Sequence, residues 1–326
     1  MHTSRALALR CFTFLCAALF AAAAPAQTWP AKPVRLIVPQ GAGGATDIFA
    51  RMIGQKLAAR WGQPVVVENH AGAAGVIGTD LVAKSPADGY TLLLTYAGSQ
   101  AVNQSLYSKI PFDSVKDFAP AATLAVTPFF FVSGPKAPAQ DFKGLITYAR
   151  AHPGTVTYGS SGNGSINHLL GEMLKTETGV NMVHVPYKAV AAAMTDVMGG
   201  QIDTAFASVP SVIQNIRAGK MRALAVSSAK RNAAAPDVPA IAELGYPGFD
   251  VNPWWGILAP AATPRAIVSK INADVAEILK TAEVQAFFRQ QGADVYITTP
   301  EAFLKQLQDD VRKWAVVVKN SGARLD

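Results

Sequence analysis

Residues 34–60 read VRLIVPQGAGGATDIFARMIGQKLAAR, and this stretch decides the fold. Val34 to Pro39 reads as a buried strand, apolar but for Arg35, ending in the loop Gly41-Ala42-Gly43-Gly44. Thr46 is placed to cap a helix running to about Arg60, with Ile48, Phe49, Met52, Ile53 and Leu57 on its apolar side. A buried strand, a loop of small residues and an amphipathic helix form half of a βαβ unit.

Outward from there the pattern continues. Val65 to Val67 is a strand, followed by Ala71-Gly72-Ala73-Ala74-Gly75 and a helix to about Lys84, and Asp88-Gly89 turns into a strand over Thr91 to Thr95. A second set opens with Thr155 to Tyr158, the loop Gly159 to Gly164, and a helix capped by Ser165. Strands over Val183 to Val185, Ile202 to Ala207 and Leu224 to Val226 alternate with helices over Val190 to Met198 and Val209 to Arg217. Such alternation predicts an α/β protein with mostly parallel sheets flanked by helices. Two sets, each opening on a small-residue loop, predict two lobes. The expected division is 27–125 for the first part of lobe 1, 126–235 for lobe 2, and 236–326 for a return to lobe 1. That return ends in helices starting at Thr263-Pro264 and Thr299-Pro300. Pro236, Pro239, Pro247, Pro253, Pro260 and Pro264 predict a long stiff loop around Trp254-Trp255-Gly256-Ile257-Leu258.

Residues 1–26 read as an export leader. Arg5 and Arg10 precede an apolar stretch from Cys11 to Ala24, and Ala24-Pro25-Ala26 offers a cleavage site before Gln27. The stretch is short for a membrane span, and bulky Leu15 before Cys16 argues against a lipoprotein. Cys11 and Cys16 are the only cysteines, so the mature chain has no thiol or disulfide. Removing Arg5 and Arg10 from 29 basic residues leaves 27 against 22 acidic, a net charge of +5. No run of Lys or Arg exceeds two, which excludes a nucleic-acid footprint. The leader predicts an exported protein, cleaved near Ala26/Gln27.

Helix starts with glycine-opened amides favour an anion without any basic side chain. Two loops qualify: Gly41, Ala42, Gly43 and Gly44 up to Thr46, and Ser160, Ser161, Gly162, Gly164 and Ser165, with added hydroxyls. Facing each other across a cleft, they would hold an elongated ligand by its ends. Asp47 sits in the first helical turn, where it supports the dipole and ties loop amides; it joins the candidates. So do Gly98 and Ser99 beyond the strand at Thr91 to Thr95, His168 three residues after Ser165, and Lys188 past Val185-Pro186-Tyr187. Phe206, Tyr96 and Trp254-Trp255 are candidates for an apolar middle.

Competing chemistries lack their residues. Neither loop has G-x-G-x-x-G or G-K-[ST] spacing, so no nucleotide cofactor is expected. His70, His152, His168 and His184 are scattered without metal-ligand spacing. An exported hydrolase using Ser161 or Ser165 with His168 is the enzymatic alternative, but G-x-S-x-G is absent. The expectation is a solute receptor, not an enzyme; a receptor feeding a signalling partner would share the same fold.

The order and spacing of several short motifs resemble one family. They are Val38 to Asp47, Glu68-Asn69-His70-Ala71-Gly72-Ala73-Ala74-Gly75, Ala87 to Leu93, Tyr158 to Ser165 with His168-Leu169, Val185-Pro186-Tyr187-Lys188, and Trp255 to Pro260. The chain resembles the Bug (TctC-like) periplasmic receptors of tripartite tricarboxylate transporters. The resemblance implies a two-lobe Venus flytrap fold that holds a small carboxylate through backbone amides and hydroxyls of the two loops. It also implies a membrane transporter partner with large and small integral subunits, and a monomer. Gln40 stands where the family commonly has an aromatic residue, His70-Ala71 where Arg-Pro is frequent, and Ala74 and Ala189 where glycine is usual.

Overall fold

A computed structural model describes residues 29–321 of the chain. The leader expected over residues 1–26 lies outside the described residues. Two mixed sheets, each flanked by helices, form two lobes. The first has the strand order Asp294–Val295, Phe118–Val126, Trp254–Pro260, Thr91–Tyr96, Val34–Val38, Val65–Asn69, and the second Val183–Pro186, Thr157–Ser160, Thr204–Ser208, Phe129–Ser133, Arg222–Val226.

The opening unit is β1 (Val34–Val38), α1 (Ala45–Trp61), β2 (Val65–Asn69), a 3-10 turn over Ala73–Gly75, α2 (Val76–Ala83) and β3 (Thr91–Tyr96). β1 pairs in parallel with both β2 and β3. The apolar side of α1 buries Phe49, Ile53 and Leu57 completely, each contributing roughly 1.5–3 kcal/mol of transfer free energy. Thr46 is not the cap. The helix begins two residues earlier, at Ala45, with extended Gly44 as N-cap and no side-chain cap bond. Thr46 Oγ1 instead accepts from Trp255 Nε1 at 3.0 Å.

A π turn over Gly98–Val102 and α3 (Asn103–Leu106) lead to β4 (Phe118–Val126), which passes through Thr127-Pro128 directly into β5 (Phe129–Ser133) of the second sheet. The second lobe continues with α4 (Phe142–Ala151), β6 (Thr157–Ser160), α5 (Ile166–Thr178), β7 (Val183–Pro186), α6 (Val190–Gly199), β8 (Thr204–Ser208), α7 (Val209–Arg217) and β9 (Arg222–Val226). Ser165 caps α5, its side chain accepting from the His168 amide.

The stretch around Trp254-Trp255 is a strand, not the loop that its prolines predict. β10 (Trp254–Pro260) lies between β3 and β4 and is antiparallel to both. Trp254, Trp255, Ile257, Leu258 and Ala259 are at most 1% exposed. A central strand covered on both faces needs no polar alternation, and its prolines stand at or beyond the strand ends. α8 (Arg265–Lys280), α9 (Ala282–Gln290), β11 (Asp294–Val295) and α10 (Pro300–Ser321) complete the chain, and α8 and α10 pack on β4.

The mostly parallel reading holds for β2, β1 and β3 and for β7, β6 and β8 only. The antiparallel strands β4, β5 and β10 are those that carry the chain between the lobes, or begin just after it has crossed. Two crossing segments touch where the Thr127 amide donates to Pro253 O at 3.2 Å. Gly292 O beside them accepts from Thr127 Oγ1 at 3.0 Å and from Asn232 Nδ2 at 2.8 Å.

Candidate functional site

A cavity of about 670 Å³ lies between the lobes. Parallel strands deliver their C-terminal loops to one edge of a sheet, and both lobes turn that edge inward. From the first lobe come Gly41, Gly44 to Thr46, the Ala71–Gly75 loop and Ser99; from the second come Ser161, Gly162, Ser165, Lys188, Ser208 and Ser211. The first residues of α1, α5, α6 and α7 therefore border one space. The first-turn amides of a helix have no partner within it; here the Ala45 amide is filled by Ser211 Oγ, the Val209 amide by Pro128 O and the His168 amide by Ser165 Oγ, and the positive ends of the helix dipoles border the cavity. Lys188 is the one charged side chain on its wall among the described residues.

An aromatic wall closes the middle. Tyr96 stacks on Trp255 with centroids 5.3 Å apart, and the Phe129 ring lies 6.4 Å from Trp255, 26° from parallel. β3, β5 and β10 each supply one ring. Burial pushes the Tyr96 phenol up to about 12, against the opposing influence of Ser99 and the Ile166 amide. It is a neutral hydroxyl at physiological pH, lying beside the start of α5.

Of the residues expected at the site, Gly41, Gly44, Ser99, Ser161, Gly162, Ser165 and Lys188 line the cavity. The others stand behind or beside it. Ala42 and Gly43 are exposed and do not line the cavity. Asp47 is buried and faces away from the cavity: Oδ2 accepts from the Gly43 amide at 3.0 Å, and Oδ1 pairs with Arg51 at 2.8 Å. Burial alone would raise its pKa, but the Arg51, Gly43 and Asn69 bonds hold the carboxyl below the usual range. Gly98 supports the aromatic wall, since a Cβ there would clash with the Tyr96 ring. Ser160 points backward to His184 Nε2 at 2.6 Å. Gly164 donates its amide to His168 Nδ1 at 3.1 Å, which places His168 behind the loop. Phe206 is fully buried in the lobe core, stacked on Phe131 at 4.8 Å.

Sequence reasoning missed Asn167. Its Nδ2 donates to Phe206 O at 2.7 Å and its Oδ1 accepts from Ser161 Oγ at 2.9 Å, so it orients a cavity hydroxyl. Ala71–Gly75 also entered as a connecting loop and a family motif, not as a part of the site. Ala73 and Ala74 hold left-handed φ of 46° and 52°. Strained residues of this kind collect at functional sites, and Ala74 O is fixed by Ser99 Oγ and Asn103 Nδ2, each at 3.1 Å. Ser208 and Ser211, 2.8 Å apart, carried no signal beyond their place at a helix start.

The lobes touch across the mouth. Ala45 N–H donates to Ser211 Oγ at 3.1 Å. Gly41 faces Ala189 so closely that a Cβ on Gly41 would lie 2.7 Å from the Ala189 methyl. The small residues of the first loop thus serve lobe contact as well as amide access.

Neither Ser161 nor Ser165 is paired with the His168 ring, as the hydrolase alternative requires. Ser161 Oγ donates to Asn167, Ser165 Oγ donates to Gly162 O at 2.7 Å, and His168 Nδ1 is filled by the Gly164 amide.

Two α/β lobes around an amide-rimmed cleft define a solute-binding receptor. The sequence profile of the tripartite tricarboxylate transporter family receptor matches residues 49–323. The chain belongs to that family, whose members are periplasmic transport receptors rather than enzymes and work with tripartite membrane transporters. It is 40% identical over 313 residues to Protein BugT of Bordetella pertussis, covering 96% of each chain. Among solved structures it is similar to R. palustris Rpa4515 with adipate, at 35% identity and a TM-score of 0.88. That match covers 91% of this chain and all of the other. MatC from Rhodopseudomonas palustris with bound malate gives 30% identity and a TM-score of 0.85, covering 89% of this chain and all of the other.

Proposed function

We propose that this protein captures a small di- or tricarboxylate, amino-acid or aromatic carboxylate between its lobes and delivers it to a tripartite transporter. The convergence of four helix starts on a cavity with a single charged side chain carries the reading. Preorganised amides and hydroxyls stabilise a carboxylate without desolvating a buried counter-charge, and they release it without breaking an ion pair. In this reading one carboxylate meets Ser161, Gly162 and Ser165. The other end faces Gly41, Gly44, the amides of Thr46 and Asp47, and Ser99. Lys188 adds long-range attraction. The cavity holds about twenty water-sized volumes, so a diacid the size of adipate or malate would share it with ordered water.

The lobes are taken to divide near the two crossings, with residues 29–126 and 254–321 in the first and 129–251 in the second. Val226 N–H donating to Pro239 O at 2.9 Å and Val251 N–H donating to Ser227 O at 2.8 Å support keeping the proline-rich segment with the second lobe. The receptor acts as a monomer and presents its ligand-closed form to large and small integral subunits of the transporter. Closure is a population shift driven by the ligand's differential affinity.

Trp255 on the cavity wall provides the assay. Titration of the mature protein with adipate, malate, citrate, glutamate and phthalate should give a saturable change in tryptophan emission with at least one of them. Flat responses and no calorimetric heat across the whole set would reject the carboxylate reading.

A further inference from the structure

We propose that His168 is a positioning residue whose neutral ring holds the Gly162–Ser165 loop in its ligand-receiving shape, so that affinity falls when the ring takes a proton. This rests on the carboxylate reading above.

The geometry is directional. The Gly164 amide donates to His168 Nδ1 at 3.1 Å. An amide N–H only donates, so Nδ1 is the ring nitrogen without a proton. The proton then sits on Nε2, 3.8 Å from Glu172 Oε1. Gly164 has a left-handed φ of 73° and precedes Ser165, which both lines the cavity and caps α5. A second imidazole holds the other end of the loop. His184 Nε2 pairs with Ser160 Oγ at 2.6 Å, and that hydroxyl accepts the Gly162 amide at 3.1 Å. The two rings stack with centroids 4.0 Å apart, 19° from parallel. A proton on His168 Nδ1 converts the acceptor into a donor facing a donor. The Gly164 bond is lost, and with it the hold on the segment between Gly162 and Ser165.

The surroundings decide the range in which this happens. On its own helix His168 meets Glu172 and Lys175. β6 brings Tyr158, whose hydroxyl donates to Glu172 at 2.5 Å, and β7 brings His184. β8 and the π turn carry no titratable side chain. α10 also packs on α5, and its half-buried carboxylate Asp310 is engaged by Trp254 Nε1 at 2.7 Å. Burial keeps His168 below the ordinary imidazole value; Glu172 opposes that and Lys175 adds to it. The ring is therefore neutral at neutral pH and charges in the acid range, and the stacked partner discourages a second charge.

The test compares wild type, His168→Asn and His168→Ala with the carboxylate that binds tightest in the fluorescence titration, at pH 7.5 and pH 5. Asn Oδ1 accepts the same amide but does not titrate, and ligand protonation affects all three proteins alike. His168→Asn should bind within about threefold of wild type at pH 7.5 and lose about tenfold less affinity than wild type on acidification. His168→Ala should bind about tenfold more weakly at pH 7.5. Identical pH profiles for wild type and His168→Asn would overturn the proposal, as would full affinity in His168→Ala. A ligand-free readout separates this from failure of the receptor reading. The Gly164 amide resonance should titrate together with the His168 ring in wild type and stay fixed in His168→Asn. An unresponsive Gly164 amide overturns the positioning role even if carboxylates bind. A responsive one supports the His168 hold on the loop even if every carboxylate is silent.

Discussion

Ala45 and Ser211 belong to different lobes and are joined by a hydrogen bond, the Ala45 amide donating to Ser211 Oγ at 3.1 Å. Ala45 is the first residue of α1, so Ser211 fills one of the amides that a helix start leaves open. The bond exists only when the lobes meet. Ser211→Ala should weaken ligand binding about fivefold, the net worth of roughly one hydrogen bond, while changing the melting temperature little. Calorimetry with the bound carboxylate, beside a thermal melt, reads both.

Contact between Gly41 and Ala189 is steric. With a Cβ on Gly41 only 2.7 Å from the Ala189 methyl, Gly41→Ala should hold the lobes apart and weaken binding at least about tenfold. Gly41→Ala combined with Ala189→Gly should recover most of that loss. A double-mutant cycle measures the coupling, and simple additivity of the two changes would show that the contact does not limit closure.

Asn167→Ala should lower both affinity and stability. Phe206 O loses its donor inside the lobe, costing about 1–3 kcal/mol, and Ser161 Oγ loses the acceptor that orients it toward the cavity wall. Denaturant unfolding checks the first consequence and ligand titration the second.

Acid should destabilise the fold through His184. Burial, reinforced by His168, lowers its pKa to about 4 from the ordinary 6.5. Between those values the unfolded chain binds more protons than the native one, so stability rises with pH across that window and is fully present above 6.5. Discounted for partial exposure, the loss on going from pH 7 to pH 4 amounts to about 2 kcal/mol. His184→Gln should flatten this part of the pH dependence, measured as the midpoint of urea unfolding.

What the sequence revealed tracks how local each feature is. β1, its glycine loop and α1 were legible because apolar run, small residues and helical periodicity are adjacent in the chain. Both helix-start loops were legible for the same reason. β10 was not: its flanking prolines read as loop, and only its place between β3 and β4 makes seven consecutive buried residues a strand. Within the loops, sequence identified residue types but not the directions in which they face. Ser160 turns back to His184 while Ser161 turns to the cavity, a consequence of alternation at a strand end. Asp47 was a candidate because it adjoins the loop, yet Arg51 one helical turn later claims it. Ser211 and Asn167 matter through partners 166 and 39 residues away, separations that no local pattern encodes.

The position of β10 also constrains how the protein is made. β4 ends at Val126, and the strand that must lie beside it begins at Trp254, after the whole second lobe has been synthesised. The first sheet cannot close around its centre until then, whereas every strand of the second is contained in residues 129–226. Non-local strand pairing of this kind is slow. The second lobe is thus available to fold first, and the lobe containing the N-terminal strand matures last, once the chain has emerged nearly complete on the far side of the membrane.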